Sequence, residues 1–220
     1  MDKKVLLDKT RDYVKRTLAD AEGGHDWFHI ERVTHNAKLI AKDEDVDLFI
    51  VELGALLHDI ADAKFHHGDE SIGPKKAAAF LQSIEVPDDI IRHIVNIIVH
   101  ISFKSSLGND NRDKFDSPEL RVIQDADRLD AIGALGIARA FNYGGFKNRP
   151  LYNPEIKPNL DQDKDTYKKG MAPTINHFYE KLLLLKNKMN TESGKKIAEE
   201  RHLFMENFLS QFYAEWEGEK

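Results

Sequence analysis

Apolar residues recur at intervals of three and four along almost the whole of this 220-residue chain, and no run alternates apolar with polar residues as a half-buried strand would. That periodicity points to an all-α fold. A chain of this length buries a substantial core, so one compact helical bundle spanning 1–220, closed by C-terminal packing helices, is the expected domain. The spacing predicts helices at roughly 4–20, 27–42, 47–63, 72–83, 87–101, 118–142, 174–188 and 192–216. Two stretches interrupt them. "KSSLGNDNRDKFDS" (104–117) is polar and turn-rich, and reads as an exposed connection or a flap. From Tyr143 to Pro173 the chain gathers four of its seven prolines and three glycines, an irregular loop or lid at about 143–173.

Composition removes several function classes. Cysteine is absent, which excludes disulfides, thiolate catalysis and zinc–thiolate sites and leaves His, Asp and Glu as metal ligands. A net charge of −6 with no long basic run speaks against a DNA- or RNA-binding surface, while a local basic pocket can still hold a small anion. The apolar runs are too short to span a membrane, and "MDKKVLLDKTRD" lacks the features of a signal peptide, so a cytoplasmic protein is expected. A homodimer is an assembly open to it.

Attention therefore falls on ten histidines and the carboxylates near them. The stretch "LGALLHDIAD" (53–62) is apolar enough for a buried helix, yet it carries His58, Asp59 and Asp62, and burying unpaired charge is costly. In "HDWFHIERVTHNAKLIA", His29 falls on the stripe shared with Val33, Asn36, Ala37 and Ile40, whereas His35 lies about 120° around the helix. In "RVIQDADRLDAIGALGIARAF" (121–141), Asp127 shares a face with Ile123, Asp130, Ala131 and Ala134, and Asp125 points nearly the opposite way. Asp127 is thus the expected inward carboxylate. His93, Asn96 and His100 form a polar stripe on an Ile/Val-rich helix.

Two imidazoles and two carboxylates from three helices, His29, His58, Asp59 and Asp127, suit one divalent cation such as Mn²⁺, Fe²⁺, Co²⁺, Ni²⁺ or Zn²⁺. Such an ion lowers the pKa of a bound water and polarises a phosphoryl oxygen, which favours hydrolysis. Asp62 is placed to orient that water or exchange a proton with it. Simpler roles compete at each position. His29 can be a hydrogen-bonded core histidine, Asp127 can accept from Arg128, and Arg128 can pair with Asp125 or Glu119. Lys64, His66 and His67 can belong to a solvated loop, and the His93/His100 stripe can line a pocket rather than hold a second metal.

Taken in order, His29, His58–Asp59 and Asp127 form an H…HD…D pattern, and the chain resembles the HD-domain superfamily of metal-dependent phosphohydrolases. Three blocks carry the likeness: "HDWFHIERV" (25–33), "ELGALLHDIADAKFHHGDE" (52–70) and "VIQDADRLDAIGALGIARAF" (122–141). With "TINHFYEKL" (174–182), they look like a bacterial branch of small stand-alone enzymes, some of them nucleotide pyrophosphohydrolases. The resemblance implies a metal on His29, His58, Asp59 and Asp127, typically Mn²⁺, with Mg²⁺ also in range. It gives Asp62 the position of an acidic catalytic residue, here Asp where several relatives have Glu. The extra histidines of the cyclic-dinucleotide phosphodiesterase branch are missing.

The expected activity is hydrolysis of a nucleotide phosphoanhydride or phosphoester, foremost a nucleoside triphosphate to monophosphate and pyrophosphate. Asp62 and Lys64 are the expected catalytic residues, and His66, His67, His100, Arg128, Lys147 and Tyr152 the expected substrate contacts. A nucleotidase, phosphatase or phosphodiesterase on the same site is the alternative chemistry. A metal- or nucleotide-sensing binding protein is the non-enzymatic one.

Overall fold

The structure is a computed structural model of the chain, and it describes residues 2–19, 21, 26–61, 69, 71–101, 115–160 and 172–220. Every regular element among the described residues is helical: α1 (Lys3–Thr17), α2 (Trp27–Ile40), α3 (Leu48–Leu57), α4 (Ile72–Ser83), α5 (Asp88–His100), α6 (Pro118–Asp130), α7 (Gly133–Phe146), α8 (Asn176–Glu180), a 3₁₀ segment (Leu182–Lys188) and α9 (Glu192–Trp216). None of these helices is long and apolar enough to cross a membrane. The chain divides into two compact units, 1–127 and 128–220, the boundary falling within α6.

In the first unit α3 is the central rod. It packs on α1, α2 and α5, and eight of its ten residues are buried. An apolar helix surrounded on all sides has no wet face, so its polar residues need partners inside the protein. Glu52 meets Lys38 of α2, with Nζ 3.1 Å from Oε2. Side-chain caps fix where the neighbouring helices begin: Asp2 for α1, Asp26 for α2 and Asp47 for α3 each accept backbone N–H groups of the first turn.

Gly54 sets how closely α6 approaches α3. A Cβ built there would stand 2.5 Å from Ile123 Cδ1 and 3.6 Å from Ile97 Cδ1, so glycine is what allows the two helices to come together. Asn36 of α2 adds a directional tie by donating from Nδ2 to the Ala126 carbonyl at 3.3 Å.

The second unit is built on aromatic packing. Phe178 of α8 is fully buried and lies 6.1 Å from Phe141 of α7 and 5.9 Å from Phe208 of α9, measured between ring centroids. Phe178, Met205 and Leu209 are buried in this unit, whereas Phe204 and Trp216 are about half exposed.

Three elements differ from the sequence expectation. The helix expected at 47–63 ends at Leu57, so His58 and Asp59 lie in the turn that follows. The helix expected at 118–142 breaks at Ala131–Ile132 and restarts at Gly133. That glycine adopts φ +75°, and a Cβ on it would press to 3.0 Å from the Arg201 stem. The helix expected at 174–188 is a short α-helix followed by a 3₁₀ segment. Of the 143–173 stretch, 143–146 is the last turn of α7, 147–160 is irregular chain, and 161–171 lies outside the described residues.

Two stability predictions follow from this packing. Gly54→Ala gains up to about 1 kcal/mol of helix propensity but overpacks Ile123, and chemical denaturation should show a net loss of about 1–2 kcal/mol. Ile123→Val removes the offending Cδ1, so the double variant should lose at least about 1 kcal/mol less than the two single changes summed; strict additivity would refute the close contact.

The second concerns His177 in α8. Burial, with Lys181 and Arg149 nearby, pushes its imidazole down to about 4. The folded form resists protonation that the unfolded chain accepts near pH 6.5, so stability is lost as pH falls from about 6.5 to 4. His177→Gln should reduce that acid loss by about 1–3 kcal/mol; an unchanged pH–stability curve would contradict it.

Candidate metal centre

The bend at the end of α3 defines the site. His58 is the residue after the last helical one, and its Nδ1 donates to the Ala55 carbonyl at 2.8 Å. A carbonyl in the last turn of a helix has no intrahelical partner, so this bond satisfies a buried acceptor. It also leaves Nε2 as the nitrogen whose lone pair is free of the backbone, as in a histidine that binds metal through one nitrogen while the other donates to a carbonyl. Asp59 follows directly and is partly exposed.

His29 reaches the same place from the first turn of α2. Asp26 accepts its backbone N–H at 2.9 Å, which fixes the helix start two residues before the imidazole-bearing turn is complete. The stripe read from the sequence is observed: His29, Val33, Asn36, Ala37 and Ile40 are all buried, and His35 is exposed. The His29 and His58 rings meet edge to face at 5.5 Å. One donor atom from each of His29, His58 and Asp59 lies within 4.8 Å of the others. Donor atoms sharing one ion at about 2.0–2.2 Å stand at most about 4.4 Å apart, so small side-chain adjustments suffice to bring these three onto a common ion.

Asp127 of α6 stands beside them, with Oδ1 3.5 Å from His29 Nε2. Its side chain is 45% exposed, against 4% for that of His29. The face arithmetic for this helix needs correcting, because Asp125, expected to point away from the core, is fully buried, and so is Asp130. α6 is covered on more than one side, as buried Leu120, Val122, Ile123, Ala126 and Leu129 show, so no single inward face exists. The break after Asp130 also removes Ala131 and Ala134 from the stripe. Asp130 is engaged by Arg139 as an ion pair.

The remaining expected site residues fall in several places. Asp62, Lys64, His66 and His67 lie outside the described residues. His100 donates from Nδ1 to the Asn96 carbonyl at 2.8 Å, and its own carbonyl accepts from Gln124 Nε2. His93 lies 3.2 Å from Ser117 Oγ and 3.3 Å from Glu119 Oε2, so Glu119 has a histidine partner besides the Asp47 N–H that it accepts. Arg128 donates to the Lys188 carbonyl at 2.7 Å within the second unit. In that unit too, Lys147 is exposed over the Tyr143 and Phe146 rings, and Tyr152 packs edge-on against Tyr213 and Trp216.

Sequence reasoning overlooked the supporting groups. The Asp26 cap was available as an acidic residue three positions before His29, the usual N-cap spacing. The His58 bond to the Ala55 carbonyl is local but has no propensity signal, and the Asn36–Ala126 tie depends on tertiary geometry.

The HD domain family profile matches residues 27–132, a span that contains His29, His58, Asp59 and Asp127. The Bacillus subtilis protein YpgQ is 37% identical over 206 residues, covering 93% of this chain and 90% of its own. A crystal structure of an HD-superfamily hydrolase from Bacillus thuringiensis superposes with a TM-score of 0.77 at 40% identity over 98% of both chains. The structure of YpgQ in complex with ADP gives 0.72 at 34% identity over 98% of this chain and 97% of that one. The chain is a member of the HD-domain superfamily, a family of metal-dependent phosphohydrolases.

Proposed function

We propose that this protein hydrolyses a phosphoanhydride or phosphoester bond of a nucleotide, with a nucleoside triphosphate split to monophosphate and pyrophosphate as the principal reaction. The observation that carries the reading is the convergence of the His29, His58 and Asp59 donor atoms within 4.8 Å. The ADP held by YpgQ, a relative over nearly the full length, supports a nucleotide as the ligand class.

In this reading His29, His58, Asp59 and Asp127 hold one divalent cation, with Mn²⁺ favoured among the ions that accept imidazole and carboxylate together. The bound ion supplies a lowered pKa for water and offsets negative charge on the phosphate. His58 presents Nε2 because Nδ1 is committed to Ala55, so no tautomer change is needed on loading. The exposure of Asp127 leaves the carboxylate edge of the centre open to solvent and substrate.

Asp62 takes a proton from the attacking water as its oxygen bonds to phosphorus and the bond to the bridging oxygen breaks. Lys64 stabilises the charge that develops on the phosphoryl oxygens. His66, His67 and His100 are the proposed contacts to the nucleotide. The cytoplasm, where nucleotides are held, is the proposed compartment.

The test is a product assay on metal-stripped protein reconstituted with Mn²⁺, offered nucleoside mono-, di- and triphosphates, with phosphate and pyrophosphate quantified separately. Pyrophosphate should accumulate from triphosphates. Phosphate alone would mean nucleotidase or phosphatase chemistry, and no turnover with any divalent ion would favour a sensing role.

Asp59→Asn should lower kcat/KM on the order of 10³-fold, about 4 kcal/mol of transition-state stabilisation, and reduce bound metal measured by elemental analysis. Asp62→Ala should abolish turnover with metal content retained. Loss of metal in Asp62→Ala, or full activity in Asp59→Asn, would overturn the assignments.

A further inference from the structure

The second unit contains a cleft of about 250 Å³ that the proposed chemistry does not use. Pro154, Pro158, Tyr152, Tyr179 and Tyr213 are among the residues that line it. Asn176 lies at its inner side, only 1% exposed, and its Nδ2 donates to the Ile156 carbonyl at 3.0 Å, which fixes the orientation of the amide. Lys157 is the one charged residue of the lining and is exposed. Tyr152, which the sequence suggested as a nucleotide contact, contributes its ring here and leads into the Tyr213 and Trp216 packing of α9, at 5.3 and 5.1 Å.

We infer that this cleft binds a planar heteroaromatic ring bearing a single anionic group. Flat proline faces and tyrosine rings favour a planar ligand, which can stack or meet their edges. Phenol hydroxyls and a fixed amide supply hydrogen bonds that a bare hydrocarbon ring could not use. Burial and the Tyr179 hydroxyl push the Tyr213 phenol up, so it stays neutral and available for hydrogen bonding. Among the lining residues one ammonium and no carboxylate match one negative charge. The volume lies below the roughly 300–1,000 Å³ of drug-sized pockets, which selects a single ring system over a peptide.

The experiment uses metal-free protein carrying Asp59→Asn, so that binding at the metal centre is removed and the outcome is independent of the proposed hydrolysis. Side-chain amide and backbone shifts are followed by two-dimensional NMR during titration with uracil-6-carboxylate, uracil, benzoate and inorganic phosphate. Uracil-6-carboxylate should shift the Asn176 side-chain amide saturably, with a Kd on the order of a millimolar. Uracil and benzoate should bind at least about tenfold more weakly, and phosphate should leave the signal in place.

Lys157→Gln and Tyr179→Phe are conservative and should each weaken binding about tenfold while the rest of the spectrum stays unchanged. Absence of a saturable shift, equal binding of uracil and its carboxylate, or undiminished binding in both variants would overturn the inference.

Discussion

The hydrogen bond from His58 Nδ1 to the Ala55 carbonyl is the interaction on which the centre depends. It arises because α3 stops at Leu57, inside an apolar environment where a helix end would otherwise leave carbonyls without partners. By capping its own helix, the imidazole satisfies one acceptor and turns its second nitrogen away from the backbone. The arrangement gathers nitrogen lone pairs and carboxylate oxygens in one place. Acceptors packed together repel, and they favour either protonation of an imidazole or a shared cation. The tautomer set at His58 and the family to which the chain belongs both favour the cation.

Holding that geometry requires three helices to meet within a few ångströms, and the sequence achieves this mostly with small or uncharged groups. Gly54 lies one turn before His58 and faces Ile123, which lies one turn before Asp127. This contact between α3 and α6 is therefore in register with His58 and Asp127. Asn36 plays the matching part between α2 and α6: it sits two turns beyond His29 and reaches the Ala126 carbonyl, adjacent to Asp127. A larger residue at 54 or an apolar one at 36 would shift the very atoms that converge. Packing and chemistry here act through the same few contacts.

How much of this was legible depends on the regularity of each helix. α2 is straight and half-buried, so 100° arithmetic separated His29 from His35 correctly. α3 was read as running through Asp62 because nothing in "LLHDIAD" breaks a helix. Where the helix stops, the His58 side chain takes the Ala55 carbonyl three residues back, a local bond that helix propensity does not signal. For α6 the error was to assume one buried face, when the helix is enclosed on several. The break after it hinges on Gly133, whose left-handed backbone suits glycine, but a glycine within an apolar periodic run reads equally well as helix interior.

Burial does not mark the α6 carboxylate that stands beside His29. Asp125 and Asp130 are both fully enclosed; Asp130 is neutralised by Arg139, and Asp125 is engaged by its surroundings. A carboxylate sealed inside a protein and paired there is committed, since drawing it away would strand the partner charge or break its hydrogen bonds. Asp127 has one described partner in His29 and an edge open to solvent, so it can exchange water for a ligand without unpacking the helix. In a centre that must admit substrate, accessibility at the mouth and burial at the base are both required. His29 and His58 supply the buried base, and Asp59 and Asp127 supply the accessible rim. In the centre we propose, that division would shield the nitrogen donors from solvent exchange and leave the oxygen donors beside the positions where water and phosphate would enter.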